Sequence, residues 1–250
     1  MKEEKRAILD LILGIEHEKG RKSTLQLALK QARKLVGKKE EKTISRQTFF
    51  ERRRNYNDSL GDEYVSAPQD LYEEQIEEII YDNAEIRSDE EMDVLTALCL
   101  YLIALDQLGH IFGKQTNASN RIKDAITRSN TILIHTKQEK EAIANLRNSI
   151  NHNFGLACYY PDTKKGKMKY VLCIGKDDGK HYPVVLPNSE WDGDWSNKKE
   201  ETSTQIFPFS LMNFAEEVLA SFIELHKSES IESPLGVEEL KTRFTILINS

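Results

Sequence analysis

The sequence predicts a mainly α fold: an up-and-down helical bundle with a small antiparallel β-meander inserted near residues 156–186. Three observations predict it. Apolar residues recur at helical spacing through most of the chain. The run from Val94 to Leu105 is apolar except for Thr96. It is too short to span a bilayer and reads as the buried centre of a bundle. After Gly155 the helical period gives way to short strand-like runs between turn-rich separators. All 250 residues read as one domain. That domain has an N-terminal helical extension (1–66) and a β insertion placed within 156–207.

The elements follow in order. Residues 3–18 fit an amphipathic helix with Ile8, Leu11, Ile12 and Ile15 on one face, ended by Gly20. Ser23 or Thr24 caps a second helix to about Val36, carrying Leu25, Leu27, Leu29 and Leu35. A basic link leads to a third helix from about Ser45 to Arg54. Asn55 to Pro68 is a loop by composition. Gln69 to Asn83 reads as a helix with Leu71, Ile76, Ile79 and Ile80 inward. Ser88 and Glu91 form a capping box that opens the apolar helix, which continues to about Phe112. His110, near its end, reads first as a half-buried core histidine. Its second reading is a partner for a site on the Arg147 helix.

Gly113 to Ala118 is a turn, and Asn120 to Ile134 the next helix. Thr136 and Glu139 form a second capping box. It starts a helix from about Lys137 to Asn151 with Ile143, Leu146 and Ile150 on its apolar face. Three strands follow, Leu156 to Tyr160, Lys169 to Ile174 and His181 to Leu186, as a meander covered by Trp191 and Trp195. Pro208 and Ser210 announce a helix from Leu211 to His226, with Phe214, Val218, Leu219 and Phe222 buried. A last helix is expected from Val237 to Ile248.

Charge and composition narrow the function. The net charge is −6, with 30% of residues charged. Lys19 to Arg54 holds thirteen Lys or Arg against three Glu, and Asp70 to Asp93 holds eleven acids against one Arg. The plainer reading is two solvated helical faces that attract each other. The functional reading is a basic N-terminal third that guides RNA phosphates to a site, with Arg52, Arg53 and Arg54 as phosphate contacts. Three cysteines without metal-ligand spacing, Cys99, Cys158 and Cys173, and no secretory pattern suit a reducing cytoplasm. No phosphate-binding glycine loop, dinucleotide fingerprint, nucleophile elbow or zinc motif is present. No metal, cofactor or membrane is expected.

The chemistry concentrates at Arg147-Asn148-Ser149-Ile150-Asn151-His152. Arg147 and Asn151 are four apart, as are Asn148 and His152, so each pair shares a helix face. Arg147 and His152 are five apart and diverge by about 140° on an ideal helix. They serve one ligand only if the helix unwinds near Asn151 or a second chain helps. The plainer reading has Arg147 satisfying carbonyls or an acid from the acidic helix, and His152 as a cation at a helix C-terminus.

An arginine, a polar residue, three further residues and a histidine after an apolar helix resembles the signature of the HEPN superfamily. The likeness is strongest from about Ser88 to Phe154. It implies a metal-independent RNase, with motifs facing each other across a homodimer formed through the Arg147 helix. It also implies a role as toxin or bacterial defence effector, with an antitoxin or defence-system partner. On that reading RNA supplies its own 2′-OH nucleophile, His152 moves a proton and Arg147 binds the charged phosphorane. Asn148 orients His152 or the phosphate, and Asn151 contacts substrate. The alternative is a non-catalytic dimeric module of the same kind that binds RNA or protein. Alanine at Arg147 or His152 is expected to leave the fold intact, since neither lies on the apolar face.

Overall fold

The computed structural model describes residues 2–37, 88–113, 118–129, 131, 133–134, 136–153, 156–158, 168–174, 182–193 and 200–247. The expected helices at 45–54 and 69–83, Arg52, Arg53, Arg54 and Trp195 lie outside these residues. The described chain is mainly helical. It contains α1 (Lys2–Leu13), α2 (Thr24–Leu35), α3 (Ser88–Phe112), α4 (Ala118–Arg128), α5 (Lys137–Asn153), α6 (Pro208–Lys227) and α7 (Val237–Phe244). Strands are β1 (Arg21–Ser23), β2 (Ala157–Cys158), β3 (Met168–Leu172), β4 (Val184–Val185), β5 (Thr204–Ile206) and β6 (Thr245–Leu247).

The apolar helix α3 lies at the centre, as its composition requires. Leu98, Tyr101, Leu102, Leu105, Leu108, Ile111 and Phe112 are all buried. It packs against α2, α4, α5 and α6, so apolar residues all round its circumference find cover. Helix α6 returns to this core through Phe214, Val218 and Phe222. A polar tie crosses three helices. Arg33 of α2 donates two hydrogen bonds of 2.7 Å to the Glu216 carboxylate of α6, and the Tyr101 hydroxyl of α3 donates to the same group.

Local signals explain most boundaries. Ser23 Oγ accepts from the Gln26 amide at 3.2 Å and caps α2. Helix α1 ends earlier than Gly20. Gly14 takes φ +78°, and the Ile15 amide reaches back to the Asp10 carbonyl at 2.8 Å. This is a left-handed glycine cap. Gly20 instead serves the turn into β1. Helix α4 ends at Arg128 rather than running to Ile134. Ser129 closes it, with Oγ donating to the Ile126 carbonyl at 2.9 Å. Pro208 sits in the first turn of α6, where a missing amide costs nothing.

Two expectations about the β regions are corrected. The last helix stops at Phe244, and β-branched Thr245 and Ile246 continue as a strand paired antiparallel with β1. The sheet after Gly155 is not a simple three-stranded meander. Its order is β2-β3-β5-β4, with β5 parallel to β3 and antiparallel to β4. The expected third strand, here Val184–Val185, pairs with Thr204–Ile206 and not with β3. A strand of three residues carries too little periodicity to be seen in sequence. Trp191 is buried.

Candidate functional site

Helix α5 starts as its sequence dictates. The Thr136 amide donates to Glu139 Oε2 at 2.8 Å, and the Glu139 amide donates to Thr136 Oγ1 at 3.1 Å. Ile143, Leu146 and Ile150 are buried against the core. The sheet holds the helix from another side. Tyr170 Oη donates to the Ala142 carbonyl at 2.9 Å, and Ser149 Oγ donates to the Ala157 carbonyl at 2.6 Å. With its axis fixed by core and sheet, the helix aims Arg147 reproducibly.

Arg147 points at the central helix. Its Nη2 donates to Asp106 Oδ2 at 3.3 Å, and its Nη1 donates to Asn148 Oδ1 at 3.2 Å. The Arg147 side chain is 16% exposed and that of Asp106 12%. The contact is a single bond rather than a fork. Asp106 Oδ1 and Arg147 Nε are buried and have no hydrogen-bond partner among the described residues. Burial pushes the Asp106 carboxyl up from its ordinary value, outweighing the opposing pull of Arg147, Arg121 and His110.

One turn beyond Asp106, His110 lies half-buried at the end of α3. Its Nε2 lies 3.3 Å from Nη1 of Arg243 on α7, and Phe244 packs edge-on against the ring at 5.5 Å. A guanidinium only donates, so Nε2 is the acceptor and the ring proton sits on Nδ1. Burial, then Arg121 and Arg243, lower the imidazole pKa against the opposing pull of Asp106 and Glu239. His110 is therefore neutral at pH 7. It is half-buried against Phe244, and it stands beside the acid that holds Arg147.

Gly109 brings the fourth group in. A Cβ there would lie 1.9 Å from the Arg121 carbonyl oxygen, so only glycine allows α4 to approach this closely. The approach places Arg121 where its charge acts on both Asp106 and His110.

The structure thus brings together Arg147 and Asn148 of the predicted site. It adds Asp106, His110, Arg121 and Arg243. Asp106 had a sequence signal: it is the sole acid between Val94 and Phe112. Arg121 and Arg243 had none, because their contribution depends on how α4 and α7 pack. Asn151 and His152 lie in the last turn of α5, which stays helical to Asn153. Helix unwinding therefore does not bring positions 147 and 152 together within one chain. The expectation that Arg147→Ala leaves the fold untouched is also corrected, because it strips a buried carboxylate of its partner. Among the described residues, no group of three or more His, Cys, Asp or Glu is placed to hold a metal ion.

No family model matches the chain, and no curated protein or solved structure matches it.

Proposed function

We propose that this protein is a metal-independent endoribonuclease of HEPN type, acting as a homodimer through α5. The observation that supports it best is the Asp106–Arg147–Asn148 cluster. A buried acid with an orphaned oxygen, holding an arginine by one bond, stabilises a fold poorly. Such arrangements concentrate at functional sites. The cluster aims a guanidinium with two of its five N–H groups engaged in the bonds described, leaving donors for a phosphate.

In this reading His152 and its counterpart in a second copy divide the proton transfers. One imidazole takes the 2′-OH proton as O2′ bonds to phosphorus. The other gives a proton to O5′ as the P–O5′ bond breaks. Arg147 stabilises the charged phosphorane. The products are a 2′,3′-cyclic phosphate and a 5′-OH. The regular helix to Asn153 favours the two-copy form, since positions 147 and 152 diverge on it. The reading includes an up-and-down bundle with the β region as an insertion. It also includes a reducing cytoplasm and a role as toxin or defence effector, with an antitoxin or defence-system partner.

The test is end-group analysis of a short RNA in EDTA. Wild type should yield cyclic phosphate and 5′-OH ends, and a 2′-O-methyl at the cut should block cleavage. His152→Ala should slow cleavage by about 10²–10⁴-fold. Wild-type rates in a folded His152→Ala variant would refute the assignment. One observation favours a second reading, a non-catalytic dimeric RNA- or protein-binding module: Asp106 already offsets the Arg147 charge. Wild type that binds RNA and cuts none would select it.

A further inference from the structure

The end of α3 gathers positive charge from three other elements. Arg147 comes from α5, held by Asp106. Arg121 comes from α4, set close by Gly109. Arg243 comes from α7, its side chain 52% exposed. His110 stands among them and accepts from Arg243. Acids stand here too: Asp106 is joined to Arg147, Glu239 Oε1 takes Arg243 Nε at 3.2 Å, and the Asp124 carboxylate of α4 reaches Gly113 at the end of α3. Arg243 therefore directs one edge at a carboxylate and the other at a neutral imidazole. An imidazole nitrogen is a weaker counterpart for a guanidinium than an anion is.

Resting on the nuclease reading, we propose that His110, Arg121 and Arg243 form a subsite for an RNA phosphate adjacent to the one handled at Arg147. Asp106 and His110 are one helical turn apart, about 5–6 Å between Cβ atoms, so the two positions lie side by side along α3. The phosphate takes the Arg243 N–H now directed at His110. The imidazole, relieved of that donor and facing an anion, then takes up a proton. The groups facing it are Asp106 on its own helix, Arg121 on α4, and Arg243 and Glu239 on α7. In the free protein burial, then the Arg121 and Arg243 cations, hold its pKa below the ordinary 6.5. A bound phosphate raises it. Affinity should therefore climb as pH falls through the bound-state value and level off below the free-state value.

The experiment uses the full chain and a short, labelled 2′-O-methyl RNA, which cannot be cut by 2′-OH attack. Fluorescence anisotropy across a KCl series reads affinity and its salt slope. Arg243→Gln should weaken binding and make the slope shallower by about 0.7 for each RNA phosphate the chain no longer neutralises. Glu239→Gln should not make it shallower. In histidine-selective NMR, the His110 resonance should move toward the protonated position as the oligonucleotide is added at constant pH. His110→Gln assigns that resonance. Arg243 is half exposed on a short helix, so its variant should keep the wild-type circular dichroism. Wild-type affinity and slope in Arg243→Gln would overturn the subsite, as would a wild type that fails to bind the oligonucleotide. Because the probe is uncleavable, the two readings separate. Binding that depends on Arg243 with no RNA cleavage removes the nuclease and keeps the subsite. Cleavage with binding indifferent to Arg243 does the reverse.

Discussion

Replacing the Asp106–Arg147 pair by apolar side chains should cost little, whereas breaking it should cost much. The structure supplies the magnitudes. Arg147→Met leaves a largely buried carboxylate with no cation bonded to it, a loss of about 3–5 kcal/mol near pH 8. The loss should shrink at low pH. The folded-state pKa of Asp106 lies above the ordinary 3.8. Its favourable contribution is therefore complete below 3.8 and lost as pH rises through the folded value. Removing Arg147 takes away the largest influence holding that value down, so the window extends upward. Asp106→Leu together with Arg147→Met removes both charges and both orphaned atoms, Oδ1 and Nε. Each orphan costs about 1–3 kcal/mol, so the double variant should lie within about 1 kcal/mol of wild type or be more stable. Urea unfolding of wild type, both single variants and the double at pH 5 and pH 8 reads all of this. A double variant that loses as much as either single would show a pair kept for stability. It would remove the main support for a functional site here.

Two further perturbations test the packing around the site. Gly109→Ala should destabilise by about 1–3 kcal/mol or more, because the new Cβ meets backbone rather than a side chain able to swing aside. That should appear as a drop of roughly 2–4 °C in Tm per kcal/mol, and an unchanged Tm would mean α4 does not approach α3 this closely. Glu217, on α6, has its carboxyl pushed up to about 8 by burial. Its favourable contribution is complete below 4.5 and lost as pH rises through 8, so Glu217→Gln should gain a few kcal/mol at pH 9 and little at pH 4. Equal urea midpoints for variant and wild type at pH 9 would refute that burial.

The parts of the fold that are legible in the sequence are those governed by local rules. The Ser23 cap, the Thr136–Glu139 box and the apolar faces of α3, α5 and α6 each rest on residues within a turn or two of one another. The α1 terminus is ambiguous in sequence because two glycines compete, and only Gly14 lies where the helix can still close its last carbonyls. Strand β5 escapes because three residues show no period and its partners are remote in sequence. The site divides in the same way. Arg147 and Asn148 are adjacent and visible as a motif. Arg121 and Arg243 reach it only because Gly109 admits α4 and Phe244 docks α7 against His110. Such contacts are properties of packing, not of any window of sequence.

The direction of Arg147 also constrains how a complete site can form. Its guanidinium turns toward α3, while position 152 stands about 140° further round a helix that remains regular to Asn153. A two-fold axis beside α5 would bring both copies' Arg147 and His152 to one shared site, an isologous arrangement. Mixing chains tests it. The His152→Ala chain should not cleave RNA alone. Refolded from urea with an equal amount of wild type, half of the dimers should be mixed, and each mixed dimer lacks one of the two imidazoles. Activity should fall to about half of that of the same amount of wild type refolded alone. Sites built within one chain would leave it unchanged. A protein that sediments as a strict monomer with and without RNA would exclude the shared site.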